Sequence, residues 1–242
     1  MRFNKEIRLA THAAFSAGEY LRQIRKAEVI VEEGKDIKLR QDKKSEEIIF
    51  DYLSKTSYPI VSEETKRDFI KNRTSWIVDP LDGSFNFYRG IPNCAISIAL
   101  WDINKPLLGV IYDFNRRDFY YGVIGLGAFL NNKRIHVSSI NKKSKSVLYT
   151  GFPSNSKYLE DTINNFGKEV VLFKKVRLIG SAALSLAYIA SGRGELYHEK
   201  GIMPWDVAAG LALVKFAGGK FQIEELDEDK YDVWASNGKI IW

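Results

Sequence analysis

The segment that most constrains this chain is a short apolar stretch that runs directly into two carboxylates. Residues 76–78 (Trp-Ile-Val) have the character of a buried strand, and residues 79–84 (Asp-Pro-Leu-Asp-Gly-Ser) follow at once. Two other acids hold similar places: Glu63 follows the predicted strand at 58–61, and Asp206 lies near the start of an apolar helical stretch. Because the ends of such elements meet at one edge of a core, the pattern predicts a cleft lined by carboxylates.

The arrangement of apolar residues predicts an α+β fold. Two amphipathic helices come first, with apolar faces that include Ala10, Ala14 and Leu21 in one and Ile49 and Leu53 in the other. A strand meander is predicted from residue 95 to 124. Strands are then expected at 146–150, 170–173 and 195–198, and helices at 181–190 and 205–217. The 242 residues fit a single catalytic domain, 1–242, with approximate halves 1–138 and 139–242.

The spacing of the two aspartates suggests a metal site. Pro80 restricts the backbone between Asp79 and Asp82, so both carboxylates can face one pair of ions. Carboxylate oxygens and the Leu81 carbonyl are ligands that suit Mg²⁺ or Mn²⁺. Gly83 allows close approach of the backbone to an anion, and a helix starting there would offer free N–H groups to a phosphate. Taken alone, each of these pieces is also compatible with an ordinary surface turn.

Composition and charge exclude several function classes. The formal charge is +6, but the basic runs are short and scattered, which favours a solvated basic surface and predicts no nucleic-acid partner. Cys94 is the only cysteine, and the sequence has three histidines and no G-x-S-x-G motif, so nucleophilic hydrolysis is poorly supported. No apolar run reaches 18 residues, and the charged first residues do not resemble a secretory signal. A cytoplasmic protein with no membrane partner is therefore expected.

Three motifs in order resemble the inositol monophosphatase family of lithium-sensitive sugar phosphatases. They are S-E-E at 62–64, W-I-V-D-P-L-D-G-S-F-N-F at 76–87 and W-D-V-A-A-G at 205–210, with G-S-A-A at 180–183 between the last two. The resemblance covers nearly the whole chain. It implies a layered α-β-α-β-α sandwich, a homodimer, and two to three Mg²⁺ ions in each active site.

The same resemblance implies roles for individual residues. Glu63, Asp79 and the Leu81 carbonyl would hold one ion, Asp79, Asp82 and Asp206 a second, and Glu63 a weaker third. Asp42, in a loop that includes Lys35 and Asp36, would act with Ser84 to orient and deprotonate the attacking water, which makes Asp42, Glu63 and Ser84 the catalytic set. The residues implied to bind substrate are Asp82, Gly83, Ser84, Arg177, Gly180, Ser181, Ala182, Glu199 and Asp206.

The implied reaction is hydrolysis of a small phosphorylated polyol or sugar by in-line attack of a metal-activated water. Glu199 would accept hydrogen bonds from neutral hydroxyls and repel a second phosphate, which favours inositol 1-phosphate. Arg177 or Arg193 could instead bind a second phosphate, so fructose 1,6-bisphosphate and adenosine 3′,5′-bisphosphate remain alternatives. A non-enzymatic alternative is a catalytically silent relative that binds polyphosphate or nucleic acid.

Overall fold

The computed structural model describes residues 3–33, 36–65, 73–152, 159–227 and 230–241. The helices are α1 (Asn4–Arg22), α2 (Arg40–Leu53), α3 (Ser84–Tyr88), α4 (Leu159–Val170), α5 (Ala182–Ala190) and α6 (Pro204–Phe216). The strands are β1 (Val29–Glu33), β2 (Asp36–Leu39), β3 (Ile60–Ser62), β4 (Ser75–Asp82), β5 (Ala95–Asp102), β6 (Lys105–Asp113), β7 (Asp118–Val123), β8 (Gly127–Leu130), β9 (Lys133–Ile135), β10 (Val147–Thr150), β11 (Lys175–Arg177), β12 (Leu196–Ile202), β13 (Lys220–Asp227) and β14 (Lys230–Ser236).

The first sheet has seven strands in the order β3-β4-β5-β6-β7-β8-β9. Only the β3–β4 pair is parallel, and every other neighbouring pair is antiparallel. Strand β4 is buried along its whole length, which explains its continuous apolar start. Its register with β5 shifts between Asp79 and Asp82, so the backbone departs from regular pairing where the acids lie.

The second sheet has five strands in the order β11-β10-β12-β14-β13. Strand β10 pairs in parallel with both β11 and β12, while β14 is antiparallel to β12 and β13. The parallel β10–β12 pair places Thr150 beside His198. Strand β10 ends at Thr150, whereas β12 continues to Ile202 alongside β14, so Gly151 lies next to Glu199 where the cleft opens.

The two sheets and the helices form alternating layers. Helices α1 and α2 pack on one face of the seven-stranded sheet, around Leu21, Ile49 and Trp76. Helices α5 and α6 are buried between its other face and the five-stranded sheet. Helix α4 contacts the outer side of the second sheet, where the Glu169 carboxylate lies 3.6 Å from the His198 ring. This order is the α-β-α-β-α sandwich that the family resemblance implies.

Most predicted elements are confirmed, including both N-terminal helices, the meander as β5–β7, and the helices now called α5 and α6. The strand predicted at 170–173 is wrong. Helix α4 continues to Val170, Val171 is 78% exposed, and the strand begins only at Lys175. A short run of apolar residues does not distinguish a strand from the end of an amphipathic helix. In the described ranges, no helix has the length and apolar character that a membrane crossing requires.

Candidate metal centre and cleft

Three aspartates from two separate elements meet at one end of the central layers. Asp79 and Asp82 lie at the end of β4, and Asp206 lies in the first turn of α6. One carboxylate oxygen from each can be chosen so that all three atoms lie within 4.8 Å of one another. We call Asp79, Asp82 and Asp206 the carboxylate centre.

Each carboxylate of the centre accepts a hydrogen bond from a backbone N–H group. The donors are Leu81 to Asp79 at 2.9 Å, Ala182 to Asp82 at 3.3 Å, and Met203 to Asp206 at 3.2 Å. Asp82 also accepts a short hydrogen bond from the Ser181 hydroxyl. The three side chains are thereby oriented by the backbone before any ion binds.

The carboxylate centre brings three acidic side chains together at a largely buried position. Burial raises the pKa of Asp79 well above its usual range, and the charges of Glu63, Asp82 and Asp206 raise it further. Burial likewise raises the pKa of Asp206, together with the charges of Glu63, Asp82 and Glu199. Burial raises the pKa of Asp82 to about 7, although the hydrogen bonds from Ser181 and the backbone oppose this. A bound cation would remove the repulsion that these shifts reflect.

Glu63 extends the acidic region beyond the carboxylate centre. It follows β3 directly, and its N–H donates to the Val78 carbonyl at 3.3 Å, which fixes it beside β4. Burial raises the pKa of Glu63 to about 8, with further contributions from the charges of Asp42 and Glu64. Its carboxylate is not in the group whose ligand atoms lie within 4.8 Å of one another, among the residues described.

Asp42 and Ser84 contact each other, although 42 positions separate them in the chain. The Ser84 hydroxyl lies 3.2 Å from Asp42 Oδ1 and 2.9 Å from the Leu81 carbonyl oxygen, so it can donate to either. Asp42, in the first turn of α2, also accepts a hydrogen bond from the Leu39 N–H at 2.8 Å. Burial raises the pKa of Asp42 to about 7. The Leu81 carbonyl lies in the same turn as the aspartates, as its suggested role as a ligand requires.

Gly83 connects β4 to α3 in a conformation that glycine favours. Its φ is +85°, in the left-handed region. A Cβ atom at this position would lie 2.7 Å from the Asn93 carbonyl oxygen and 3.1 Å from the Gly180 carbonyl oxygen. A side chain at position 83 would therefore clash with the backbone of two neighbouring segments. Gly83 keeps the start of α3 close to the end of β4, where Asp79 and Asp82 lie.

Asn86 is a residue that the sequence analysis quoted in a motif without assigning it a role. Its amide nitrogen lies within hydrogen-bond distance of the carbonyl oxygens of Asn93 (2.8 Å), Ile179 (2.8 Å) and Gly180 (3.0 Å). It thus connects α3 to the segment that leads into α5. The available signal was a polar side chain placed between the aromatic residues Phe85 and Phe87.

The carboxylate centre opens onto a cleft of about 600 Å³ between the two sheets. The residues of the cleft that the sequence analysis had named are Asp82, Gly180, Ser181, Ala182, Glu199 and Asp206. On the far side, Thr150, Gly151, Phe152 and Glu199 form what we call the distal wall. The cleft therefore has one side of buried acids and another that comes from the five-stranded sheet.

Glu199 is the charged residue of the distal wall, and Tyr197 fixes its position. The Tyr197 hydroxyl donates to Glu199 Oε2 at 3.0 Å, and burial raises the pKa of Glu199 to about 7. A Cβ atom on Gly151 would lie 2.3 Å from Glu199 Oε1, so glycine leaves the space that this carboxylate occupies. Tyr197 was missed by the sequence analysis, although alternation along β12 puts it on the same face as Glu199.

The two arginines considered for a second phosphate lie elsewhere. Arg177 is exposed at the end of β11, where its guanidinium donates to the Val176 carbonyl at 3.0 Å, and it is not among the residues that line the cleft. Arg193 donates to the Tyr120 hydroxyl at 3.1 Å and is also outside that lining. Lys35 lies outside the described residues, as does the side chain of Asp36.

The residues of the centre fit a hard divalent cation. All their candidate ligand atoms are carboxylate oxygens, which Mg²⁺ and Mn²⁺ prefer over softer donors. Burial and the neighbouring negative charges both raise the pKa of Asp79 and Asp206, so a cation in the centre would favour their ionised forms. Both the donor type and the unbalanced charge therefore match an Mg²⁺ site.

Comparisons with known proteins agree with this geometry. The model of the inositol monophosphatase family matches residues 4–237. The chain is 37% identical to inositol monophosphatase 1 of Solanum lycopersicum, over 87% of this chain and 81% of that protein. It is 36% identical to the Nus factor SuhB of Escherichia coli, over 88% of this chain and 83% of that protein.

A solved structure extends the comparison to the fold. The structure of inositol monophosphatase from Anabaena (Nostoc) matches with a TM-score of 0.87 at 34% identity, covering 99% of this chain and 93% of the other. The fold of this chain thus occurs in a solved relative. This chain therefore belongs to the inositol monophosphatase family of phosphatases.

Proposed function

We propose that this protein hydrolyses inositol 1-phosphate with the help of Mg²⁺ bound at the carboxylate centre. The observation that carries the proposal is the convergence of Asp79, Asp82 and Asp206, whose ligand atoms lie within 4.8 Å of one another. Two of them, Asp82 and Asp206, line a cleft that also contains Glu199. Asp79, Asp82 and Asp206, together with Glu63 and the Leu81 carbonyl, would hold two to three ions. Bound Mg²⁺ would polarise the ester phosphate and a water molecule and would neutralise developing charge.

The turn that begins α3 would bind the phosphate group. The first N–H groups of a helix have no partner within that helix and point toward an anion at its N-terminus. Gly83 and Ser84 form this N-terminus, next to Asp82. Their backbone N–H groups would hold the phosphate oxygens, and the fixed turn would hold the ester in one orientation.

Asp42 and Ser84 would orient the attacking water and accept its proton. When the Ser84 hydroxyl donates to Asp42 Oδ1, its oxygen lone pairs are free to accept a hydrogen bond from a water. A carboxyl whose pKa is raised to about 7 suits proton acceptance near neutral pH. The water oxygen would bond to phosphorus as the P–O ester bond breaks, with the water proton passing through the Ser84 hydroxyl to Asp42. The leaving polyol oxygen would take up a proton from solvent.

The distal wall would select a neutral polyol over a bisphosphate. The Glu199 carboxylate can accept hydrogen bonds from hydroxyl groups, and it would repel a second phosphate. Neither Arg177 nor Arg193 lines the cleft, which weakens the case for fructose 1,6-bisphosphate or adenosine 3′,5′-bisphosphate as the main substrate. Fructose 1,6-bisphosphate would be a second, slower substrate. A homodimer is part of the same proposal, because the family resemblance implies one.

The experiment is phosphate release from inositol 1-phosphate and fructose 1,6-bisphosphate, each with Mg²⁺, with Mn²⁺ and with a chelator. We expect release that depends on the metal and is faster with inositol 1-phosphate. A higher rate with fructose 1,6-bisphosphate would contradict the assignment of the distal wall. Absence of release from both substrates by folded, Mg²⁺-loaded protein would contradict the proposed activity and favour a catalytically silent relative.

A further inference from the structure

A second open groove, of about 540 Å³, is lined in part by Phe87 and Tyr88 of α3. It runs between the C-terminal end of α1 and the segment that follows α3. Leu21, Phe87, Cys94 and Phe114 form its apolar part. Ile91 lines both this groove and the cleft, so the two are neighbours.

Four cationic side chains surround this groove: Arg22, Arg25, Lys26 and Arg89. We call it the basic groove. All four residues are exposed, and they approach from two separate segments of the chain. Among the described residues that line the groove, none is acidic. It therefore differs in sign from the neighbouring cleft, which acids dominate.

The acids on nearby segments are each paired with a cation, and one of these cations, Arg22, belongs to the groove itself. Glu19 pairs with Arg22 at 2.9 Å, and Glu28 pairs with Arg40 at 2.6 Å. Asp113 pairs with Arg116 at 2.9 Å. Within the described ranges, Arg25, Lys26 and Arg89 form no ion pair.

Like charges around one concave surface repel one another, and an anion that binds between them relieves this repulsion. Arginine is suited to phosphate because its guanidinium can donate two parallel hydrogen bonds to two oxygens. The cations come from both sides of a groove of about 540 Å³, so a ligand with several charged groups can contact both sides at once. A single phosphate would reach only part of this rim.

We propose that the basic groove is a binding site for a small compound that carries several phosphate groups. Arg25 and Lys26 would bind its phosphates from one side and Arg89 from the other. The carboxylate centre cannot take this role without metal, because its acids repel anions. Binding to the basic groove therefore needs no divalent cation and does not rest on the proposed hydrolytic activity.

The test is calorimetric titration of inorganic tripolyphosphate into metal-free, full-length protein with chelator present. The variant is the double substitution Arg25→Gln and Arg89→Gln. The control is Lys105→Gln with Lys133→Gln, which removes the same net charge from exposed positions on β6 and β9. Thermal melting of each protein checks that it is folded.

We expect the double arginine variant to bind tripolyphosphate at least about 10-fold more weakly, and the lysine control to stay within about 3-fold of the parent. Affinity of the parent should fall as salt is raised from about 50 to 200 mM. Absence of tripolyphosphate binding by the parent would overturn the site. An equal loss of affinity in both variants would also overturn it, because the loss would then reflect net charge alone. Unchanged affinity in the arginine variant would also overturn it.

Discussion

The two sides of the cleft are built in different ways. On the carboxylate side, Asp79, Asp82 and Asp206 each accept a hydrogen bond from a backbone N–H group. For Asp79 and Asp206 the donor is only two or three residues away in the chain. On the distal wall, Glu199 is positioned by a side chain, the Tyr197 hydroxyl, and by the space that Gly151 leaves. The first arrangement is mostly local, and the second comes from neighbouring strands.

This difference indicates how each side can change. The acids of the centre are oriented by the backbone, so a substitution there removes a ligand while leaving the scaffold in place. The distal wall depends on packing between β10 and β12, so small changes in side-chain volume can alter its shape. We therefore expect the carboxylate side to determine whether hydrolysis occurs and the distal wall to determine which ester is preferred.

The largest expected effect comes from Asp82→Asn. The amide removes one negative ligand but preserves the shape of the side chain, so Mg²⁺ affinity and phosphate release should fall at least about 100-fold. Phosphate-release assays over a range of Mg²⁺ concentrations measure both. Glu224→Gln, an exposed position on β13, is the matched control and should behave like the parent. Near-normal turnover in Asp82→Asn would refute the metal assignment.

Ser84→Ala separates proton handling from metal binding on the same side of the cleft. Loss of the hydroxyl that contacts Asp42 should lower kcat about 100-fold, since a positioned proton-transfer group contributes on that order. Mg²⁺ affinity, measured by calorimetry, should change little. Ser84→Thr keeps the hydroxyl and should restore most activity. If Ser84→Ala abolishes metal binding instead, its proposed role is wrong.

Glu199→Gln tests the distal wall. Removing the charge should lower kcat/KM for inositol 1-phosphate about 10-fold, because a hydrogen bond to a charged group contributes about 1.5–3 kcal/mol. The ratio of the rate with fructose 1,6-bisphosphate to the rate with inositol 1-phosphate should rise, because the negative charge that repels the second phosphate is lost. Gly151→Ala, which places a methyl group against the Glu199 carboxylate, should shift the ratio in the same direction. An unchanged ratio in both variants would contradict the proposed selection.

The smallest expected effect concerns stability. Burial raises the pKa of Glu63 to about 8 and of Asp82 to about 7, so between pH 5 and 8 the folded metal-free protein binds more protons than the unfolded chain. The part of the unfolding free energy that these two carboxyls contribute is therefore present at low pH and is lost as pH rises through these values. Scanning fluorimetry with chelator should show Tm at pH 8 at least about 2 °C below that at pH 5.

Mg²⁺ should oppose this loss, because a bound cation favours the ionised carboxylates. We expect the difference in Tm between Mg²⁺ and chelator to be larger at pH 8 than at pH 5. Asp82→Asn removes one repelling charge and should flatten the pH dependence of the metal-free protein. A Tm that rises steadily with pH in chelator would contradict the assignment of mutually repelling acids.

Much of the carboxylate side was predictable from the sequence because its signals are local. The apolar start of β4 predicts a buried strand, and Pro80 and Gly83 indicate that regular pairing ends near the acids. Asp79 and Asp82 are only three residues apart, so the same end of the strand presents both. The position of Asp206 in the first turn of an apolar helix was also readable from sequence.

Other features depend on contacts between segments that are far apart in the chain, and such contacts cannot be predicted from local patterns in a single sequence. The hydrogen bonds of Asn86 to Ile179 and Gly180, and the basic groove formed by the ends of α1 and α3, exist only after the layers pack. The error at 170–173 has a local origin instead, since a short apolar run does not distinguish a strand from the end of an amphipathic helix. The sequence by itself determined the chemistry of the carboxylates and the elements that carry them. The tertiary structure decided which side chains face one another, because that depends on the packing of two sheets around α5 and α6.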